Sequence, residues 1–333
     1  MPEFLQTETR PPVVVVTGPT AGGKSALALD LAEALDGVVI NADSMQVYRE
    51  LEILTARPGA ETLARAPHRL YGTVSGRERC SAGHWRNLAL AEIAAAQAAD
   101  KTPLVVGGTG LYLRALIEGL AEVPEVPAAV RAAAEARHRE LGGPGLHAEL
   151  AARDPDMAKR LRPSDSQRLI RAWEVLEATG RSLAEWQADG ASAGDAAGCR
   201  FLRLVRLPPR AALYAACDAR FLAMIARGAL DEVRGLRALG LDPRLPVMRA
   251  LGVRELGRHL DGTLSLDAAV AQAQQATRNY AKRQMTWLRT QAPPQAPPQA
   301  PPSSVRTIIL NEKDSKSLDP KIFAIIRRFL LTG

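Results

Sequence analysis

The sequence predicts an α/β protein, a parallel sheet wrapped by helices and interrupted by an all-helical domain. Three observations predict it. Short apolar runs alternate with helix-period stretches up to about residue 120, β-type runs vanish from about 121 to 199, and a strand-like run returns at Phe201–Leu207.

The elements follow in order. VVVV (Val13–Val16), GVVI (Gly37–Ile40) and PLVVGG (Pro103–Gly108) are apolar on both sides, as strands of a covered parallel sheet must be. Between them, KSALALDLAEAL and RNLALAEIAAAQAA carry the helical period, which makes a βαβ pattern. The insertion is read from PAAVRAAAEARHRELG, GLHAELAARD and SDSQRLIRAWEVLEATG, helical stretches separated by Pro and Gly breaks. FLRLVRL and the helices after it return the chain to the core. The expected domains are a discontinuous α/β core (1–120 and 200–290), a helical insertion (121–199), and a linker and tail (291–333). Within the last, QAPPQAPPQAPP (Gln291–Pro302) is a threefold repeat that lacks the apolar content to fold. SKSLDPKIFAIIRRFLL predicts a small docking helix.

Composition sets outer limits. No apolar run of the 333-residue chain approaches the roughly 18 residues that span a bilayer. The opening MPEFLQTETRPP lacks the basic-then-apolar plan of a signal peptide. Cys80, Cys199 and Cys217 are too few and too far apart for a disulfide framework or a metal knuckle, so a reducing cytoplasm is expected. A net charge of +7 suits a polyanionic partner.

GPTAGGKS (Gly18, Pro19, Thr20, Ala21, Gly22, Gly23, Lys24, Ser25) fits the phosphate-loop pattern G-x-x-x-x-G-K-[ST]. It has the strand before it and the helix after it that the motif needs, which makes the core P-loop NTPase-like. Glycines let backbone N–H groups turn inward as an anion nest, and the helix N-terminus adds positive potential. Lys24 would place an ammonium on the terminal phosphates, and Ser25 a hydroxyl on Mg²⁺. The pattern says that a di- or triphosphate is cradled, without saying whose. Asp43, in VVINADSMQVYRE, follows the second strand and so faces the same crevice. The plainer reading is an N-cap for DSMQVY. VVGGTGLYLRAL is the third crevice segment, where Gly107 and Gly108 permit close backbone approach and Thr109 ends the strand.

GPTAGGKS, NADSMQVYRELEI, GGTGLYLRAL, SQRLIRAWEV and AKRQMTWLR, in this order and at these spacings, resemble the tRNA dimethylallyltransferase family, the bacterial tRNA isopentenyltransferases or IPP transferases. The resemblance runs from about residue 13 to 290. It implies that the loop binds dimethylallyl diphosphate and that the prenyl group moves to N6 of the adenosine 3′-adjacent to the anticodon. Asp43 is then the base that accepts the amine proton. Thr20 and Thr109 line the channel between donor and acceptor, and Arg220, in DARFLAMIARG, binds the diphosphate. Asp43, Ser44, Met45, Gln46, Thr109 and Arg131 are implied on the tRNA side.

Helical periodicity adds basic faces. In SLDAAVAQAQQATRNYAKRQMTWLRT, Leu266, Val270, Ala273, Thr277 and Ala281 mark the inward stripe, while Arg278, Lys282 and Arg289 fall within about 40° of one another elsewhere. In SQRLIRAWEV, Leu169, Trp173 and Leu176 take the core side and Gln167, Arg168 and Arg171 point away; MRALGVREL adds Arg249 and Arg254. Standing alone, each is an ordinary solvated face. The resemblance assigns tRNA contact to the segments that hold Gln167, Arg168, Leu169, Ile170 and Arg171 and Arg278, Lys282, Arg283, Gln284 and Arg289. Departures from the family pattern are Leu54 for a glycine, Arg57 for a lysine, Val253 for an aromatic, and Gly23 where serine or alanine is common. The expected partners are a tRNA anticodon stem-loop and dimethylallyl diphosphate, with no membrane and a monomeric chain. Two rivals share the loop: a small-molecule or nucleotide kinase, which would consume ATP, and a non-enzymatic RNA-binding switch, which would form no product.

Overall fold

The computed structural model describes residues 10–191, 198–291, 305–310 and 319–331. The N-terminal nine residues and the Pro-rich run beyond Gln291 lie outside the described residues. The elements are β1 (Pro12–Thr17), α1 (Lys24–Ala34), β2 (Gly37–Asn41), α2 (Ala60–Arg65), β3 (His68–Arg69), α3 (Ala82–Ala98), β4 (Thr102–Gly107) and α4 (Gly110–Glu118). The insertion supplies α5 (Ala128–Arg153), α6 (Pro155–Arg160), α7 (Ser166–Thr179) and α8 (Leu183–Ala191). The chain then adds β5 (Arg200–Arg206), α9 (Arg210–Ala226), α10 (Ala229–Ala238), α11 (Val253–Leu260), α12 (Leu266–Gln291), β6 (Val305–Leu310) and α13 (Pro320–Leu331).

The expected parallel sheet is present, with strand order β3-β2-β4-β1-β5-β6. Every strand pair in it is parallel. β1 lies at its centre, with Val14 opposite Leu104 on one side and Leu202 on the other. The run VVVV is apolar on both faces because both are covered. Val13 and Val15 join a core with Trp85, Ile93 and Leu116, while Val14 and Val16 join one with Leu27, Leu31 and Ile326. Strand order reverses direction at β1 and β4, so the loops after β1, β2 and β4 converge at one end of the sheet.

The core continues past residue 290, where the sequence predicts a linker and a small docking helix but no strand. β6 pairs with β5 from Phe201↔Val305 to Arg206↔Leu310. α13 buries Ile326 and Phe329 against the α1 face. Arg200 donates to the carbonyls of Phe329 and Leu330, satisfying the open C-terminus of α13. The signal in VRTIIL was weak because an edge strand is only half covered: Leu310 is buried and its neighbours are not.

The chain divides into two compact units, residues 1–117 with 197–333, and residues 118–196. The second has its own core of Leu146, Leu150, Leu169, Trp173 and Val175. Its α5 is two helical segments meeting at Gly142, whose φ of 66° a residue with a Cβ rarely adopts. Among the described residues no helix is long and apolar enough to cross a membrane.

Candidate active site at the carboxyl ends of the strands

The phosphate loop is built by backbone geometry. Ala21 and Gly23 take left-handed conformations (φ 57° and 77°), which turns successive peptides inward. Gly23 caps α1 in that conformation, so glycine suits the position better than serine or alanine. The Gly22 N–H closes a turn on the Pro19 carbonyl at 3.1 Å. The N–H groups of Gly23, Lys24, Ser25 and Ala26 have no backbone acceptor among the described residues, as the first turn of a helix dictates. These are the donors left for an anion.

Lys24 donates to the Pro19 carbonyl at 2.7 Å. Burial lowers its pKa from 10.5 to about 8, Asp43 pulls it back up, and Arg220 and Arg206 push it further down. Arg220 reaches from α9 to donate to Thr20 Oγ1 at 2.7 Å. Burial depresses its pKa and Asp43 opposes that. Arg206, at the end of β5, donates to the Gly23 carbonyl at 3.1 Å. Three cations therefore surround the loop and its N–H groups.

Asp43 is held by a residue the sequence reading overlooked. Asn41 is fully buried; its Oδ1 accepts the Asp43 N–H at 2.9 Å, and its Nδ2 donates to the Asp43 carbonyl at 3.1 Å and the Leu70 carbonyl at 3.0 Å. The Trp85 indole donates to the Asn41 carbonyl at 2.8 Å. A polar residue closing the apolar run VVIN was the available signal. Asp43 Oδ1 accepts the Met45 N–H at 2.9 Å and closes a turn over residues 44–47; no helix opens there, so the expected helix cap is an Asx turn instead. Oδ2 has no protein hydrogen-bond partner among the described residues. The two oxygens thus differ: Oδ1 closes the turn, and Oδ2 carries no such bond.

Thr109 joins the loop after β4 to the one after β2. Its Oγ1 accepts the Ser44 N–H at 3.0 Å and donates to Ser44 Oγ at 3.3 Å. Tyr280, unnoticed in the sequence, places its hydroxyl beside Thr109; burial raises its pKa, with Asp43 adding to the rise. The departures have structural roles. Leu54 is buried against Phe221 and Gly252, and Arg57 donates to the carbonyls of Tyr48 and Arg49, each at 3.2 Å. Val253 is buried in the same core as Leu54.

The expected tRNA-side residues divide. Lys282 and Arg289 are exposed on α12 without an ion pair among the described residues, and Arg283 lies over the Tyr280 ring at 5.7 Å. Arg249 and Arg254 line an open cleft of about 650 Å³ with Arg237, Arg258 and Asp261. Five of the expected residues make their contacts inside the fold instead. Arg278 pairs with Asp218 of α9 and donates to Gln275, so it ties helices together. Gln284 is only 6% exposed, with both ends of its amide bonded inside the fold. Gln46 turns its amide onto the Thr55 and Ala56 carbonyls (2.9 and 3.1 Å), and Met45 packs against the core. Leu169 is fully buried in the core of the helical unit. In that unit Gln167 and Arg168 are exposed, and Ile170 packs on the core. Arg131 and Arg171 share the buried carboxylate of Glu174 at 3.4 and 2.7 Å.

Comparison with known proteins gives consistent matches. The family model described as IPP transferase matches residues 46–291, and that described as isopentenyl transferase matches residues 11–78. A curated tRNA dimethylallyltransferase of Rhodospirillum centenum is 66% identical over 280 residues, which cover 84% of this chain and 89% of that protein. The tRNA dimethylallyltransferase of Rhodospirillum rubrum is 55% identical over 322 residues, covering 97% and 96%. Among solved structures, the full-length tRNA isopentenylpyrophosphate transferase of Bacillus halodurans is similar at a TM-score of 0.64 and 30% identity, covering 97% of each chain.

Proposed function

The chain belongs to the IPP transferase family, and from that premise we propose how its site moves a dimethylallyl group onto tRNA. The enzyme is a transferase that takes dimethylallyl diphosphate as donor and the N6 amine of the adenosine 3′-adjacent to the anticodon as acceptor. One observation carries the residue assignment. Among the described residues, a cradle of N–H groups without backbone acceptors, ringed by Lys24, Arg206 and Arg220, shares a sheet end with Asp43, one of whose oxygens has no hydrogen-bond partner.

As the bond from C1 of the prenyl group to the diphosphate oxygen breaks, its electron pair moves to the diphosphate. Lys24, Arg220 and the N–H groups of Gly23 to Ala26 stabilise that charge where it develops. N6 of adenosine bonds to C1, and Asp43 Oδ2 takes the amine proton. A base in this role contributes about 10²–10⁴-fold. Asn41 holds the Asp43 backbone and the Met45 N–H holds its Oδ1, which together orient the carboxyl group.

Mg²⁺ fits the donor set. Ser25 is exposed on the first turn of α1, and among the described residues no three His, Cys, Asp or Glu side chains gather to hold a metal. One hydroxyl with substrate phosphate oxygens is the kind of shell Mg²⁺ accepts. When bound, the ion would neutralise charge on the leaving group. Lys282, Arg283, Arg289, Arg249 and Arg254 supply phosphate contacts to the tRNA. The cytoplasm, where tRNA is made, is the proposed location.

Purified protein incubated with unmodified tRNA, Mg²⁺ and labelled dimethylallyl diphosphate, without ATP, tests the reading. Label on the adenosine 3′ to the anticodon is the expected result. Unlabelled tRNA from a preparation that consumes ATP would assign the loop to phosphoryl transfer instead.

A further inference from the structure

We infer that Gln284 is a positioning residue for the transfer, holding the diphosphate loop and the turn after β4 in register through its side-chain amide. The inference rests on the reaction proposed above. Gln284 lies on α12, buried, with Oε1 accepting the Thr20 N–H at 2.8 Å and Nε2 donating to the Gly108 carbonyl at 2.9 Å. A Cβ added at Gly108 would sit 2.4 Å from that Nε2 and 2.9 Å from the Gly18 carbonyl oxygen, so the two loops meet here without room to spare.

What the amide joins are the two halves of the chemistry. Thr20 receives Arg220 on its hydroxyl, which is the donor side. Thr109, next to Gly108, holds the Ser44 N–H and through it the turn that carries Asp43, which is the acceptor side. The same helix reinforces the contact. Tyr280, one turn earlier, lies beside Thr109, and the Trp287 ring packs on Gly110. Gln284 also withdraws the Thr20 N–H from the anion cradle, leaving that role to the donors that follow it. Attack requires the reacting atoms at near-contact distance, and a displacement of about 1 Å costs about 10²-fold.

The chemistry of the group is specific. Thr20 needs an acceptor and Gly108 needs a donor, so an uncharged group with both satisfies the pair. A carboxylate at the same place meets the N–H correctly but faces the carbonyl oxygen with no hydrogen. A protonated carboxyl restores both bonds, and burial raises a carboxyl pKa into a testable range.

The test compares Gln284→Glu and Gln284→Met with wild type by single-turnover transfer at saturating donor and tRNA, together with tRNA affinity. Rates are taken as ratios to wild type at each pH, because Lys24, Asp43, Arg220 and Tyr280 titrate or carry charge nearby. The expected result for Gln284→Met is a rate loss of about 10²-fold with tRNA affinity within about twofold. Gln284→Glu is expected to be as slow near neutrality and to recover toward wild type as pH falls, a recovery that Gln284→Met does not share. A wild-type rate in Gln284→Met, a pH-independent ratio for Gln284→Glu, or a loss confined to tRNA affinity overturns the inference. A wild-type enzyme that leaves tRNA unlabelled overturns the reaction, and this assignment with it.

Discussion

The guanidinium of Arg220 on α9 donates to the hydroxyl of Thr20 in the phosphate loop at 2.7 Å, across 200 residues of sequence. It fixes a cation at the side of the loop's N–H cradle, where the proposed reaction places the leaving group. Arg220→Ala removes both the charge and the anchor. Its kcat is expected to fall by about 10²–10³-fold, the usual cost of losing a donor to developing negative charge. Thr20→Val keeps the Arg220 charge and the Thr20 N–H, so its loss should be smaller. Steady-state kinetics with varied donor separates the two.

Lys24 sets the alkaline limit. With its pKa lowered to about 8, it is charged below that pH in the free protein and neutral above it. The kcat/KM for the prenyl donor is therefore expected to fall as pH rises through about 8, since that ratio reports the free enzyme. Stability moves the other way. Between about 8 and 10.5 the unfolded chain binds more protons at this group than the folded one, so its contribution to unfolding free energy rises with pH. Lys24→Arg, charged throughout, should lose the inflection in kcat/KM.

Glu232 of α10 accepts the N–H groups of Glu52, Ile53 and Leu54 at 2.6, 2.7 and 2.9 Å. This pins the loop in which Leu54 and Arg57 stand. Glu232→Ala leaves three donors without an acceptor, a local cost of about 1–3 kcal/mol. Hydrogen exchange at Ile53 and Leu54 is expected to accelerate about tenfold for each 1.4 kcal/mol lost. Unchanged exchange there would show that Glu232 does not hold the loop.

The basic residues of α12 should separate by salt dependence. Lys282→Ala and Arg289→Ala are each expected to reduce the slope of log affinity for tRNA against log salt by about 0.7–0.9. Arg278→Ala, whose partner is Asp218, should leave the slope nearly unchanged and lower thermal stability instead. Binding isotherms across a salt series distinguish these outcomes.

The sequence made part of this site legible and concealed the rest for identifiable reasons. Lys24, Asp43 and Thr109 follow strands that a doubly wound sheet aims at one crevice, so position along the chain located them. Arg206 and Tyr280 matter because of which strand or helix lies alongside, and no local pattern states that. Arg278 looked free because its partner Asp218 is on another helix. Gln284 was misread although a signal existed. It stands three residues after Ala281 and seven after Thr277, so the period that marked the inward stripe already placed it inside. β6 was concealed by being an edge strand, covered on one side only.

Asp43 is the central claim, and its two oxygens suggest the cleanest variant. Asp43→Asn retains an acceptor for the Met45 N–H, whereas Asp43→Ala loses the turn acceptor and the proposed base together. The most direct measurement is therefore the single-turnover rate of Asp43→Asn at saturating donor and tRNA, with tRNA affinity measured in parallel. The expected result is a rate lower by about 10²–10⁴-fold with tRNA affinity within about twofold. An unchanged single-turnover rate with weakened tRNA binding would contradict the assignment of Asp43 as the base.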